Sequence, residues 1–541
     1  MSKIIEGNIV DVVKGEIYPG RIIYQDGIIV SVERLSENKG PYILPGLIDA
    51  HVHIESSMLL PSEFARLAVV HGTTATVSDP HEIANVLGME GVKFMIKNGN
   101  EVPFHFNFGA PSCVPATPFE SSGAELGAAE VEELLRMPEI KYLSEMMNYP
   151  GVLSEQAGVM EKLNAAKKYN KPVDGHAPGV LGDDARRYAQ AGISTDHECF
   201  TREEAVDKIQ AGMKVLIREG SAARNFDELI PLIKYYPEMI MFCSDDKHPD
   251  DLIKGHINLL VKRALDKGFD FIDIVRACTL NPVMHYGLNS GLLQPGDYAD
   301  FIVVDNLQDF NVIETYVEGR LVASMGKSFI TCSRSKTPNN FNARPVTADD
   351  LKIKAEGEII KVQRALEGQL ITEIEEVKAH VVDGYVESNV KDDVLKMLVI
   401  NRYQPSLPAL GFVAGFGLKR GAIASTVAHD SHNIIAVGAD DESLMQAVNA
   451  VIDSKGGICV VDNGKVSLLP LPVAGIMSPM DGYEVAKQYE QLNGQALDLG
   501  SSFRAPFMTL SFMALLVIPD IKLSDKGLFN VNNFSLTGLF K

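Results

Sequence analysis

Apolar and polar positions along the chain fall into distinct textures. Residues 1–45 carry β-branched side chains at Ile4, Ile9, Val12, Val13, Ile17, Ile22, Ile23, Ile28, Ile29, Val30 and Val32, punctuated by Gly7, Gly15, Gly20 and Gly27. That spacing predicts short strands, with a hairpin turn at Gln25-Asp26-Gly27. From residue 44 apolar strands alternate with amphipathic helices. Strands are predicted at 47–53, 73–78, 104–109, 140–145, 172–176, 193–197, 214–218 and 239–244. Helices are predicted between them at 62–71, 87–97, 130–136, 154–169, 184–191, 203–211 and 226–235, with a last one at 252–267. Strands alternating with helices imply a parallel sheet. Eight such cycles match a (β/α)8 barrel better than an open doubly wound sheet.

Strand texture returns near residue 290. The segment 290–330 is expected to complete the sheet begun by 1–45, so that a small composite β domain is split around a barrel at 46–289. Residues 331–350 are polar and turn-rich and read as a linker. The segment 345–541 reads as a C-terminal α/β domain, with helices at 372–378 and 442–453 and strands at 421–427, 433–437 and 457–461.

Composition narrows the function. The net charge of −21 over 541 residues leaves no basic footprint for nucleic acid and disfavours an anionic membrane surface. The longest apolar run, 505–519, is interrupted by Pro506, Thr509 and Ser511 and falls short of the about 20 residues a membrane helix needs. No secretory leader is visible at the start, and six cysteines show neither a pairing pattern nor a CxxC. A cytoplasmic protein is expected. The unusual entries are the thirteen histidines, four of which (His51, His53, His71 and His81) fall within 31 residues.

Functional groups of a barrel gather at the C-terminal ends of its strands. The first predicted strand ends in His51-Val52-His53, the fourth in Glu145, the fifth in His176, the sixth in His197 and the eighth in Ser244-Asp245-Asp246. Alternate strand residues share a side, so His51 and His53 can chelate one ion. One histidine at a strand end is usually an ordinary hydrogen-bonded residue. Six metal-type side chains at the matching ends of five strands are what a shared site requires. His51, His53, Glu145, His176, His197 and Asp245 are therefore expected to bind a divalent metal, with Glu145 bridging two ions. The nitrogen and oxygen set accepts Mn, Fe or Zn.

The segment LPGLIDAHVHIESSM at 44–58 resembles the first-strand signature of the amidohydrolase superfamily, and QPGDYADFIVVD at 294–305 resembles its return segment. Within it, HVHIESSM, VSDPHEIANVLG, PSCVPATP and VDGHAPG resemble the adenine deaminase family. STVAHDSHNI and PFMTLSFMALLVIPDIKL resemble the C-terminal domain of that family, and the likeness spans nearly the whole chain. The resemblance implies hydrolytic deamination of adenine to hypoxanthine and ammonia by a metal-activated hydroxide, usually with Mn or Fe, as in purine salvage. It implies Asp245 as the proton acceptor, chosen over Asp246 because it directly follows the small residue Ser244. The alternative is another amidohydrolase acting on a cyclic amide or N-acyl substrate. Cytidine-type deaminase chemistry is excluded, since His53-Ile54-Glu55 has no PCxxC partner. Glu55 is then a candidate for orienting ligand or substrate. His81 and Glu82, read as a loop after the second strand, are candidates for substrate or a further metal. Ser112 and Cys113 are candidates to line the purine pocket. His429, Asp430 and His432 are expected to cap the barrel mouth. Self-association into a homo-oligomer is expected.

Overall fold

The computed structural model describes residues 2–37 and 40–541. Eight parallel strands form the barrel: β1 Leu47–Val52, β2 Thr73–Ser78, β3 His105–Ala110, β4 Ile140–Met146, β5 Val173–Gly175, β6 Thr195–Asp196, β7 Lys214–Arg218 and β8 Ile240–Cys243. β1 to β5 pair in order, as do β6 to β8. Parallel bridges between Val173 and Ile193 and between Val52 and Asp245 close the ring. Every residue of β1 and β2 is buried, as strands covered on both faces require.

Strands from both flanks of the barrel build one eight-stranded sheet. Its junction is Tyr42–Pro45, which pairs parallel with Lys3–Asp11 and antiparallel with Phe301–Val304. Residues 329–347 carry no helix or strand. A second eight-stranded sheet follows, running from its edge strand Thr372–Lys378 to Lys465–Pro470. The helix Asp441–Asp453 contributes Leu444, Ala447, Val448 and Val451 to an apolar cluster with Ala422, Ala424 and Ala436 of that sheet. A single larger cluster includes Phe64 and Ile83 of the barrel helices together with Val413, Ile476 and Leu510. The C-terminal part is thus packed onto the barrel through a shared core.

Local differences from the sequence pattern have physical causes. The predicted helix 372–378 is an edge strand, Thr372–Lys378, paired antiparallel with Ile359–Ala365. Ile374 and Val377, three apart among charged residues, mimic a helical stripe, but the neighbouring strand supplies the ladder, and an edge tolerates charge on both faces. The helix expected at 87–97 is two helices, His81–Leu87 and Met89–Gly99, separated by Gly88 at φ +61°. His81 and Glu82 therefore open a helix rather than lie in a loop. The helix expected at 226–235 tightens after Phe226–Leu229 into a 3₁₀ turn, Ile230–Lys234, which carries Pro231. Among the described residues no helix is long and apolar enough to cross a membrane. The apolar run 505–519 contains the short helix Pro506–Phe512, six of whose seven residues are buried.

Candidate metal centre at the barrel mouth

β1 ends by directing two imidazoles to one point: His51 Nε2 and His53 Nε2 are 3.2 Å apart. Asp49, two residues earlier, ties this strand to its neighbour across the closure, accepting from Ser244 N at 2.9 Å and facing His256 Nε2 at 2.8 Å. Asp245 completes the closure, its amide donating to His51 O at 3.0 Å. Its φ of +55° is rare for a residue with a Cβ, a backbone strain often found at functional sites.

The carboxylates meet these imidazoles from the opposite side. Glu145 Oε2 lies 2.9 Å from His176 Nδ1 and 3.1 Å from His197 Nε2, while Oε1 lies 3.7 Å from His53 Nε2. Asp245 Oδ1 lies 3.3 Å from His53 Nε2 and 3.8 Å from His51 Nε2. All six side chains are buried. Among the described residues, His51 Nδ1 and His176 Nε2 have no hydrogen-bond partner. Converging buried imidazoles and carboxylates, some with orphaned ring nitrogens, are the donor set of a divalent cation. The two oxygens of Glu145 face different histidines, an arrangement that could span two ions.

Around this centre lies a polar rim. Arg218 closes β7 and donates from Nη1 to Asp245 Oδ2 at 2.7 Å and from Nη2 to Glu198 Oε2 at 2.9 Å. Burial alone would push the Asp245 carboxyl up, but the Arg218 guanidinium and the His53 contact hold it well below the ordinary range. Asp246 is the opposite case. Burial and the neighbouring Asp245 charge push it up to about 6, and its Oδ1 lies 2.5 Å from Ser56 Oγ. Asp245, not Asp246, faces the imidazoles.

His81 Nδ1 lies 3.2 Å from Asp79 Oδ2 and 3.6 Å from Glu145 Oε1, and its Nε2 lies 3.6 Å from Asp430 Oδ1. His429 Nδ1 lies 3.2 Å from Glu82 Oε1. Burial pulls the His429 imidazole down, but the Glu82 charge outweighs it and raises it to about 9. His432 Nδ1 accepts from Ala428 N at 3.3 Å, which in a neutral ring leaves Nε2–H facing Glu82 Oε2 at 3.8 Å. Glu82 Oε1 lies 2.8 Å from Ser56 Oγ as well as 3.2 Å from His429 Nδ1. Among the described residues Glu82 Oε2 and His432 Nε2 have no hydrogen-bond partner, and Glu82, His429 and His432 form a second buried group of ligand-type side chains.

The candidate residues separate cleanly. His53, His81, Glu82, Glu145, His176, His197, Asp245, His429 and Asp430 line one cavity, with Met147, Leu370, Phe512 and Leu515 as its apolar wall. Ser112 and Cys113 do not line it: the Ser112 hydroxyl donates to the Glu145 carbonyl at 2.5 Å, supporting the end of β4. Glu55 lies behind the cavity, accepting from Ile83 N at 3.2 Å, with burial and Glu82 pushing its carboxyl up to about 8. Arg218, Glu198 and Asp79 belong to the centre and are absent from the residues expected from sequence, whereas Asp246, weighed there against Asp245, lines the cavity. A signal for two of them existed. Arg218 is the charge that directly follows the apolar run Val215-Leu216-Ile217, and Glu198 directly follows His197.

Residues 42–322 match the amidohydrolase family, and residues 369–535 match the adenine deaminase C-terminal domain. The chain is 55% identical to an adenine deaminase of Salinibacter ruber, covering 99% of this chain and 98% of that one. It is 53% identical to an adenine deaminase of Sulfurovum sp., covering 98% of each. It is 52% identical to an adenine deaminase of Methanosarcina barkeri, covering 99% of each.

Proposed function

The chain belongs to the adenine deaminase family of the amidohydrolases, and on that premise we propose that it hydrolyses adenine to hypoxanthine and ammonia. The observation that carries the reading is one buried cavity in which barrel histidines and carboxylates face His429 and Asp430 of the segment matching the adenine deaminase C-terminal domain. His51, His53, Glu145, His176, His197 and Asp245 would hold a divalent metal, Mn or Fe, with Zn also suited to this donor set, and their number would suit a pair of ions. A cation so held supplies a Lewis acid that lowers the pKa of water towards neutrality.

The protein's own groups then move the protons. Asp245 accepts a proton from the water that adds to C6 of the purine and returns it to the departing amine. Arg218 keeps Asp245 ionised beforehand, so that it starts the reaction as a base. Water plus adenine yields hypoxanthine plus ammonia, so no other reactant is needed. His81, Glu82, His429 and Asp430 supply donors and acceptors for the edge of the base, and Glu55 holds the Ile83 amide beside Glu82. In this scheme 46–289 is the catalytic barrel, 1–45 with 290–330 its supporting β domain, and 345–541 the domain that closes its mouth. Six free cysteines, five of them buried, support a reducing cytoplasm as its setting.

The test is metal-loaded protein with adenine, following ammonia and the mass of the product. Exchange of the amine for oxygen with release of ammonia is expected. A product carrying an added water with its nitrogen retained, or no ammonia at all, would sink the assignment.

A further inference from the structure

The barrel makes most of the polar part of the cavity, His429 and Asp430 excepted, but little of its apolar part. Of the four apolar lining residues, Leu370, Phe512 and Leu515 come from the C-terminal domain and only Met147 from the barrel. The Phe512 ring stacks on His429, with centroids 4.6 Å apart and planes 13° from parallel. The enclosed space is about 20 Å³, room for roughly one water. A bicyclic base can enter only if this wall yields, and once inside it must lie against it.

What holds the wall is unusual. Lys522, on the strand Ile521–Ser524, is fully buried, and its amine donates to Leu370 O at 2.8 Å and Phe512 O at 3.1 Å. Burial pushes that amine down to about 7. Gln363, also fully buried, donates to the next carbonyl, Met513 O, at 3.0 Å. Carbonyls at the end of a helix have no partner within it, so the end of Pro506–Phe512 is held by these two side chains together with the Leu515 and Leu523 amides, which donate to Phe512 O and Met513 O at 3.2 Å. Burying an amine among apolar groups is costly, and a methionine would fill the space without that cost. The amine instead joins the two segments that carry Leu370 and Phe512 to the cavity.

Resting on the adenine reading above, we infer that Leu370, Phe512 and Leu515 form the face on which the purine ring lies, and that Lys522 is the positioning residue that sets this face. Offset stacking of an aromatic ring on a flat base adds to area burial. Binding of the base should depend on the wall more than the chemical step does, because the proton-moving groups lie on the barrel.

The experiment uses the metal-loaded full chain and its variants Lys522→Met, Lys522→Gln and Phe512→Leu. KM and kcat for adenine are measured, together with calorimetric binding of hypoxanthine. Lys522→Met and Phe512→Leu should each raise KM and weaken hypoxanthine binding by up to about tenfold, with kcat nearly unchanged. Lys522→Gln, which keeps a donor, should recover part of the loss. A fall in kcat at unchanged KM, or unchanged hypoxanthine binding in Phe512→Leu, overturns the inference. Phe512→Leu carries the test by itself if Lys522→Met does not fold. Absence of ammonia from the unaltered protein would overturn the activity reading instead, while base binding by the variants would still decide the role of the wall.

Discussion

Arg218 Nη1 and Asp245 Oδ2 are 2.7 Å apart, both buried, one ending β7 and the other following β8. The guanidinium binds Glu198 as well, so one cation serves two buried carboxylates. Removing it strands both charges, which is far costlier than never having buried them. Arg218→Met should therefore raise the pKa of Asp245 and lower kcat by about 100-fold. The acid limb of the kcat–pH profile should move to higher pH, since Asp245 must be ionised to accept a proton. An unmoved acid limb would remove Arg218 from this role.

Asp245 and Asp246 are adjacent but differently placed. Asp245 faces His51 and His53, while Asp246 is hydrogen-bonded to Ser56. Asp245→Asn should lower turnover by about 10²- to 10⁴-fold while metal content, read by elemental analysis, is largely kept. Asp246→Asn should lose far less. Equal losses from the two variants would contradict the assignment.

Glu145 is the one carboxylate that meets His53 with one oxygen and His176 and His197 with the other. Glu145→Gln removes a negative charge shared by both sides. Metal per chain should fall from about two to about one or fewer, with activity lost in parallel. Chelation of the unaltered protein should abolish activity, and Mn or Fe should restore it. Retention of the full metal content by Glu145→Gln would exclude the bridging role.

Glu120 gives a prediction about stability. It is buried, accepts from Thr117 N and Thr117 Oγ1 at 3.2 Å, and is pushed by burial and Asp430 from 4.5 up to about 8. The folded chain thus binds more protons here than the unfolded chain between those two values. Stability contributed by this group is fully present below pH about 4.5 and falls as pH rises to about 8. Glu120→Gln, which mimics the protonated acid, should flatten that decline. Urea midpoints at pH 6 and pH 8.5 measure it, and an identical decline in both proteins would refute the assignment.

Much of this was legible in the residues alone. Most barrel strands read well because they are short apolar runs bounded by turn residues, and period-two geometry alone puts His51 and His53 on one side. His176 and His197 follow strands shorter than the predicted segments, Val173–Gly175 and Thr195–Asp196, yet the strand direction still carried both to the mouth. The helix expected at 372–378 failed because seven residues with two apolar positions suit either period, and only a neighbouring strand decides.

The chain by itself therefore determined the barrel, the six metal-type side chains and the family, since these depend on local periodicity and on the end of each strand. Tertiary structure alone decided which distant residues share the cavity. His429 meets Glu82, Arg218 meets Asp245, and Lys522 meets Leu370. Such pairs are set by how the C-terminal sheet packs on the barrel and how the ring closes. Burial then selects the charge state of each group, because a desolvated charge persists only beside a partner that no local pattern names.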